Sequence, residues 1–244
     1  MSIGGVRIVL VEPAGALNVG SVARIMKNMG LGQLVLVKPQ CDRHSEQARL
    51  MAVHAVDILE RARQVDTMTE ALQGCHRAIA TTARSRSLPT QLESPRVALP
   101  WLLEENITSA LIFGPEERGL SNLELNYAQK FVCIPANPEY PSLNLAQAVA
   151  VCAYELYQAN LQQVDLQSST PPSITNAPLD ILEGYYEHLE QVLLEIDYLY
   201  PHTAAARMEK FRRIYNRANL SSEEVAMLRG ILKKMQLAIA LKNP

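Results

Sequence analysis

Three short segments of this chain carry residue types that can hold and act on a polar ligand. The first, Asn18-Val-Gly-Ser-Val-Ala-Arg24, sets an amide and a guanidinium on either side of a glycine. The second, Phe113-Gly-Pro-Glu-Glu-Arg-Gly-Leu120, carries the Glu116 carboxylate between two glycines. The third, Ile134-Pro-Ala-Asn-Pro-Glu-Tyr-Pro-Ser-Leu-Asn144, ends on the hydroxyl of Ser142 and the amide of Asn144. A guanidinium offers a planar donor fork that suits a phosphate or a developing oxyanion. Taken singly, each segment also has an ordinary structural reading. Asn18 would cap a helix, Gly114 and Gly119 would serve turns, and Asn144 with Gln147 would open a helix. No segment matches a Walker or dinucleotide-binding glycine pattern. The residues by themselves imply a ligand site built from loops, of unspecified chemistry.

Those loops need elements to position them. The β-branched run Val6–Val11 reads as a buried strand. Val22, Ile25, Met26 and Met29 recur at helical spacing between Asn18 and Met29, and Gly30 follows where a helix would stop. A second strand is expected over Gln33–Lys38 and a helix from Ser45 to about Ala55. Thr67 and Glu70 form a capping-box pattern opening a short helix that ends near Gly74. Further strands are expected over Ala78–Thr82, Ala110–Phe113 and Phe131–Ile134, with a second capping box at Ser121 and Glu124. A long helix is expected from about Asn144 to Gln163. Strands alternating with helices give an α/β domain with a mainly parallel sheet. Ligands of such sheets bind beyond the carboxyl ends of the strands, where all three segments fall.

Residues 165–178 are rich in Ser, Thr and Pro and read as a linker. Beyond them Leu179, Leu182, Tyr186, Leu189, Val192 and Leu193 line one helical face, and two more helices are expected over about 203–218 and 221–241. The expected organisation is an α/β domain over 1–164, a linker over 165–178 and a helical extension over 179–244.

The composition of the 244 residues, 48% hydrophobic and 20% charged, suits a globular chain with a sizeable core. No apolar run is long enough for a membrane span, and the N-terminus lacks a signal-peptide pattern. The four cysteines are scattered, without CxxC pairs or clustered histidines, so neither a zinc site nor a disulfide framework is expected. A reduced, cytoplasmic setting fits. The net charge of −2 hides a segregation. Residues 178–205 hold six acids and no Lys or Arg, whereas Arg207, Lys210, Arg212, Arg213 and Arg217 face one acid over 206–217. Such a stripe is either a solvated helix face or a phosphate-binding surface.

The three segments, in this order, resemble the three motifs of the SpoU branch of the SPOUT methyltransferases. Those read Asn-x-Gly-x-x-x-Arg, then Phe-Gly-x-Glu-x-x-Gly-Leu, then a Ser-Leu-Asn opening the last catalytic helix. Every motif position is matched, over about residues 6–163. Thr82-Ala-Arg-Ser-Arg86, Ala136-Asn-Pro-Glu-Tyr140 and the helical extension resemble the members that methylate the ribose at position 32 of the tRNA anticodon loop. The resemblance implies a trefoil knot at the C-terminal end of the catalytic domain, against the general rarity of knots. It implies S-adenosylmethionine as cofactor, no metal, tRNA as substrate and a homodimer with a shared active site. Arg24 would act on the ribose 2′-hydroxyl, with Asn18 holding Arg24 or the substrate and Glu116 accepting from Arg24 or Asn18. Ser142 and Asn144 would fix cofactor and substrate. Thr81, Thr82, Ala83, Gly114, Ile134, Pro141, Ser142 and Leu143 fall on cofactor positions. Arg84, Arg86, Arg207, Lys210 and Arg217 are candidate RNA contacts. The same chemistry on another tRNA site or on rRNA, and a non-catalytic RNA-binding role, remain alternatives.

Overall fold

A computed structural model describes residues 3–82, 92–104, 106–165 and 176–242. Among them, seven strands form one parallel sheet: β1 (Val6–Val11), β2 (Gln33–Val37), β3 (Arg63–Val65), β4 (Arg77–Thr81), β5 (Leu92–Glu93), β6 (Ser109–Phe113) and β7 (Lys130–Val132). Their order across the sheet is β3-β2-β1-β6-β4-β7-β5. In register, Val9 of β1 lies beside Val35 of β2 and Ile112 of β6. The central strands are buried on both faces, which is why their sequences run apolar without alternation. Side chains nevertheless divide by parity. Ile8, Leu10, Leu36, Leu111 and Phe113 enter one hydrophobic cluster, and Val9, Val11, Val35, Ala110 and Ile112 the other.

The helices are α1 (Ala16–Asn28), α2 (Glu46–Ala52), α3 (Val56–Arg61), α4 (Met68–Leu72), α5 (Pro95–Ala98), α6 (Asn122–Leu125), α7 (Leu145–Asp165), α8 (Leu179–Glu195), α9 (Ala204–Ala218) and α10 (Ser222–Lys242). α1, α2, α3, α5 and α7 build the first cluster; α4, α6, α8, α9 and α10 build the second. α1 packs against both α2 and α7. Gly20, the glycine of the first motif, makes the α1–α2 approach possible: a Cβ there would lie 2.2 Å from the Ala48 carbonyl oxygen.

The expected strands all form, with ends shifted by one or two residues. The short edge strands β3 and β5 were not anticipated; Arg-Gln-Val and Leu-Glu carry no apolar alternation to mark them. The helix expected to reach about Ala55 ends as α2 at Ala52. Val53 turns to φ +53°, and the chain continues through a 3-10 turn into α3. α1 starts at Ala16 rather than Asn18, so Asn18 lies inside the helix and does not cap it.

Of the expected linker, 166–175 lie outside the described residues. Asn176 bridges to Ser221, and the Ala177 N–H donates to the Leu220 carbonyl at 2.7 Å. Tyr185, Tyr186, Leu189 and Val192 then bury against the second cluster. α9 is held to the sheet side by Asn216, which donates to the carbonyls of Asn126 and Ala128 at 3.2 and 3.4 Å and accepts from the Tyr186 hydroxyl at 2.7 Å. Arg212 pairs with Glu183 and lies over the rings of Tyr127 and Tyr186. Buried polar groups tied this fully fix the register of the elements they join.

Candidate active site

α1 begins without a side chain of its own to cap it, because its N-cap is Gly15. The cap comes from the loop after β6. Glu116 accepts from the N–H groups of Ala14 and Gly15 at 3.3 and 3.4 Å, and from the Asn18 amide at 2.9 Å. A carboxylate at a helix N-terminus is favoured by the helix dipole. Burial pushes the Glu116 carboxyl up, but the Asn18 amide and the backbone N–H groups outweigh it and hold it below the ordinary glutamate range.

The network continues into the third segment. The Asn144 amide donates to Asn18 Oδ1 at 3.1 Å. Asn144 Oδ1 accepts from the Ala146 N–H at 2.9 Å, while the Asn144 N–H donates to Gln147 at 3.2 Å. Asn144 therefore caps α7 and reaches the first motif at once, so the ordinary reading and the functional one both hold. Glu116, Asn18 and Asn144 form a line of dipoles pointing the same way, anchored on a charge at one end and a helix N-terminus at the other. Three segments far apart in sequence meet there.

The loop 114–120 must be tight to deliver Glu116. A Cβ on Gly114 would lie 2.3 Å from the Leu120 nitrogen, so only glycine fits. Arg118 clamps the same loop from outside. It chelates Glu124 of α6 at 2.8 and 2.9 Å and reaches Glu12, at the end of β1, at 2.7 Å. Glu12 takes φ +46°, a strained conformation for a non-glycine. Ser121 and Glu124 form the expected capping box that orients α6. Sequence reasoning missed the Glu12–Arg118–Glu124 clamp, because a pairing across more than a hundred residues leaves no local pattern.

Beside this network lies a cavity walled by the carboxyl ends of β4, β6 and β7. Of the residues expected to line a cofactor site, Thr81, Thr82, Gly114, Ile134, Pro141, Ser142 and Leu143 do line it. Ala83, with Arg84 and Arg86, lies outside the described residues. Glu116 and Arg118 also border the cavity. Thr81 donates to the Ile112 carbonyl at 3.0 Å, which sets the floor between β4 and β6.

The profile of the SpoU rRNA methylase family matches residues 5–154, the span that contains the whole network. The chain belongs to the SpoU methylase family. A second profile, the C-terminal domain of tRNA methyltransferase TrmJ, matches residues 180–244. The tRNA (cytidine/uridine-2′-O-)-methyltransferase TrmJ of Pectobacterium atrosepticum is 42% identical, covering 95% of this chain and 96% of its own. The tRNA (cytidine/uridine/adenosine-2′-O-)-methyltransferase TrmJ of Pseudomonas aeruginosa is 43% identical over 95% of this chain and 93% of its own. The crystal structure of TrmJ from Z. mobilis ZM4 superposes with a TM-score of 0.83 at 31% identity, covering 94% of this chain and 98% of that one.

Of the two donors the SpoU resemblance offered to Glu116, Arg24 or Asn18, the structure shows Asn18. Asn18 itself is joined to Glu116 and Asn144 and not to Arg24. Arg24 is exposed, and among the described residues no hydrogen bond or ion pair is recorded for it. It shares an exposed stripe of α1 with Leu17, seven residues earlier. On α9, Arg207, Lys210 and Arg217 are exposed, whereas Arg212 and Arg213 pair with Glu183 and Glu209. α9 packs into the second cluster through Met208, on the sheet face opposite α1 and α7. The basic stripe and the Asn18–Asn144 network therefore belong to different faces.

Proposed function

We propose that this protein is an S-adenosylmethionine-dependent methyltransferase that transfers a methyl group to a ribose 2′-hydroxyl of tRNA, at position 32 of the anticodon loop. The observation that carries the reading is the Glu116–Asn18–Asn144 network, which joins all three SpoU motifs and borders the cavity through Glu116. The long relatives and the matched C-terminal profile support tRNA over rRNA as substrate.

The residues present fit the cofactor. Thr81, Thr82, Ile134 and Leu143 line the cavity and offer backbone edges and apolar walls to a purine. When bound, S-adenosylmethionine supplies an activated methyl group, so the chain has only to align the ribose oxygen with it and help its proton leave. Ser142 and Asn144 orient the ribose and the cofactor at the cavity mouth. Glu116 and Asn18 hold Asn144 in place for that task. Arg24, with its planar donor fork, grips the neighbouring phosphate and stabilises the oxyanion as it forms.

Leu17 is exposed on α1, and Val151 and Tyr154 are exposed on the adjacent α7. This apolar face beside the site supports a homodimer in which a second copy completes the active site. The trefoil knot rests on the likeness of residues 5–154 to the SpoU family. Arg207, Lys210 and Arg217 contact tRNA phosphates and position the substrate without reading bases.

Calorimetry with S-adenosylmethionine and transfer of labelled methyl to a tRNA transcript test the reading. Cofactor binding together with label in tRNA supports it. Label only in rRNA, or no binding with or without RNA, overturns it.

A further inference from the structure

We infer that Tyr140 is a stacking platform for an unpaired nucleobase of the RNA substrate, and so a specificity-determining residue of the proposed active site. The inference rests on the methyltransferase reading above. Tyr140 is 81% exposed, far more than the other exposed tyrosines Tyr154, Tyr198 and Tyr200, which lie between 48% and 51%. Tyr198 is covered by Arg207 and Phe211, and Tyr200 stacks on His202. Among the described residues the Tyr140 ring meets no other ring and no cation.

Its place in the fold is equally specific. Tyr140 stands two residues before Ser142 and four before Asn144, on the segment that borders the cavity. The loop that presents it is built to stay open. The Glu139 N–H donates to Asn137 Oδ1 at 3.0 Å, and the Tyr140 N–H donates to the Asn137 carbonyl at 2.9 Å. Pro138 and Pro141 flank the turn and fix its backbone torsions. A stiff loop that thrusts a bare aromatic ring into solvent beside a ribose-binding site is poorly suited to core packing. It suits recognition of single-stranded RNA, where splayed bases stack on aromatic side chains. A base attached to the ribose held by Ser142 and Asn144, or the base next to it, comes within reach of the ring.

Stacking is tolerant of base identity and does not release counterions. It therefore predicts a signature that a phosphate contact or a structural role would not give. Tyr140→Ala should raise the KM for tRNA roughly tenfold, with cofactor affinity by calorimetry and sedimentation behaviour unchanged. The slope of log affinity against log salt should stay as in the wild type, since no phosphate contact is lost. Tyr140→Phe and Tyr140→Trp should restore the KM. Unchanged tRNA affinity in Tyr140→Ala, while the wild type methylates tRNA, would overturn the stacking role alone. So would a changed sedimentation coefficient, which would assign the ring to a protein interface, or a loss of cofactor affinity, which would make it part of the loop's structure. A wild type that methylates no tRNA ribose would overturn this inference and the proposed function together.

Discussion

In the proposed active site Arg24 is a cation that faces solvent, and Glu116 is a carboxylate tied down on several sides. Arg24→Ala should lower the single-turnover rate by about a hundredfold or more while calorimetry shows unchanged cofactor binding. Lys should restore little, because it lacks the planar fork. Glu116→Gln should cost roughly ten- to a hundredfold in rate, through loss of a charge-assisted acceptor to Asn18 and the α1 N-terminus. The pH dependence has a definite sign. The folded-state pKa of Glu116 is lowered, so its contribution to stability is complete above the unfolded value of about 4.3 and is lost as pH falls through the folded one. Melting curves of wild type and Glu116→Gln should therefore converge below about pH 4.3. The three motifs made Asn18, Glu116 and Asn144 legible as types and spacing, and the structure joins these three, whereas Arg24 stands exposed outside their network. The donor to Glu116 was legible only as a choice between Arg24 and Asn18, because it depends on where α1 begins, and the start at Ala16 is set by a cap from a residue about a hundred positions away.

Among the elements, the loop 114–120 carries the greatest constraint, being closed by Gly114 and clamped by Arg118 to Glu12 and Glu124. Arg118→Gln should release it. The expected result is a roughly tenfold weaker affinity for S-adenosylmethionine, taking the loss of a charged hydrogen-bond set at its low end, and Arg118→Lys should recover only part. Calorimetry checks this; wild-type affinity in Arg118→Gln would show that Gly114 alone shapes the loop. Elements with a strong periodic or β-branched pattern were readable: β1, β2, β4, β6, β7, α7 and the three C-terminal helices lie within a few residues of their expected places. β3 and β5 were not readable, since their residues are polar or few and they exist only by pairing with a neighbour already in place. The break after α2 was hidden for a related reason. Val53 is an ordinary residue for a helix, and its positive φ is imposed by the turn into α3.

In the whole molecule, the C-terminal third is more than an appendage to the α/β domain. In sequence, the Ser- and Pro-rich stretch before it suggests a separable extension. In the structure α8, α9 and α10 share the second hydrophobic cluster with the sheet, and Asn216 and Arg212 lock them to the turn between α6 and β7. Each fully buried Leu, Val or Tyr of that cluster contributes about 1.5–3 kcal/mol or more. Ending the chain at residue 165 should therefore lower the melting temperature by more than about 10 °C or leave the protein aggregated. A cooperative melt at the full-length temperature would show that α8–α10 only rest on the sheet. β7 leads from that turn to the cavity wall at Val132, so α9, which carries Arg207, Lys210 and Arg217, is bonded to the segment that enters the wall. The account as a whole is tested most directly by mapping the product. Purified protein is incubated with S-adenosylmethionine and an unmodified tRNA transcript, and nuclease fragments are weighed by mass spectrometry. The account predicts one added methyl group on the ribose of nucleotide 32, absent when Arg24→Ala replaces the wild type. A methyl group on a base, on another nucleotide, or undiminished in Arg24→Ala would contradict it.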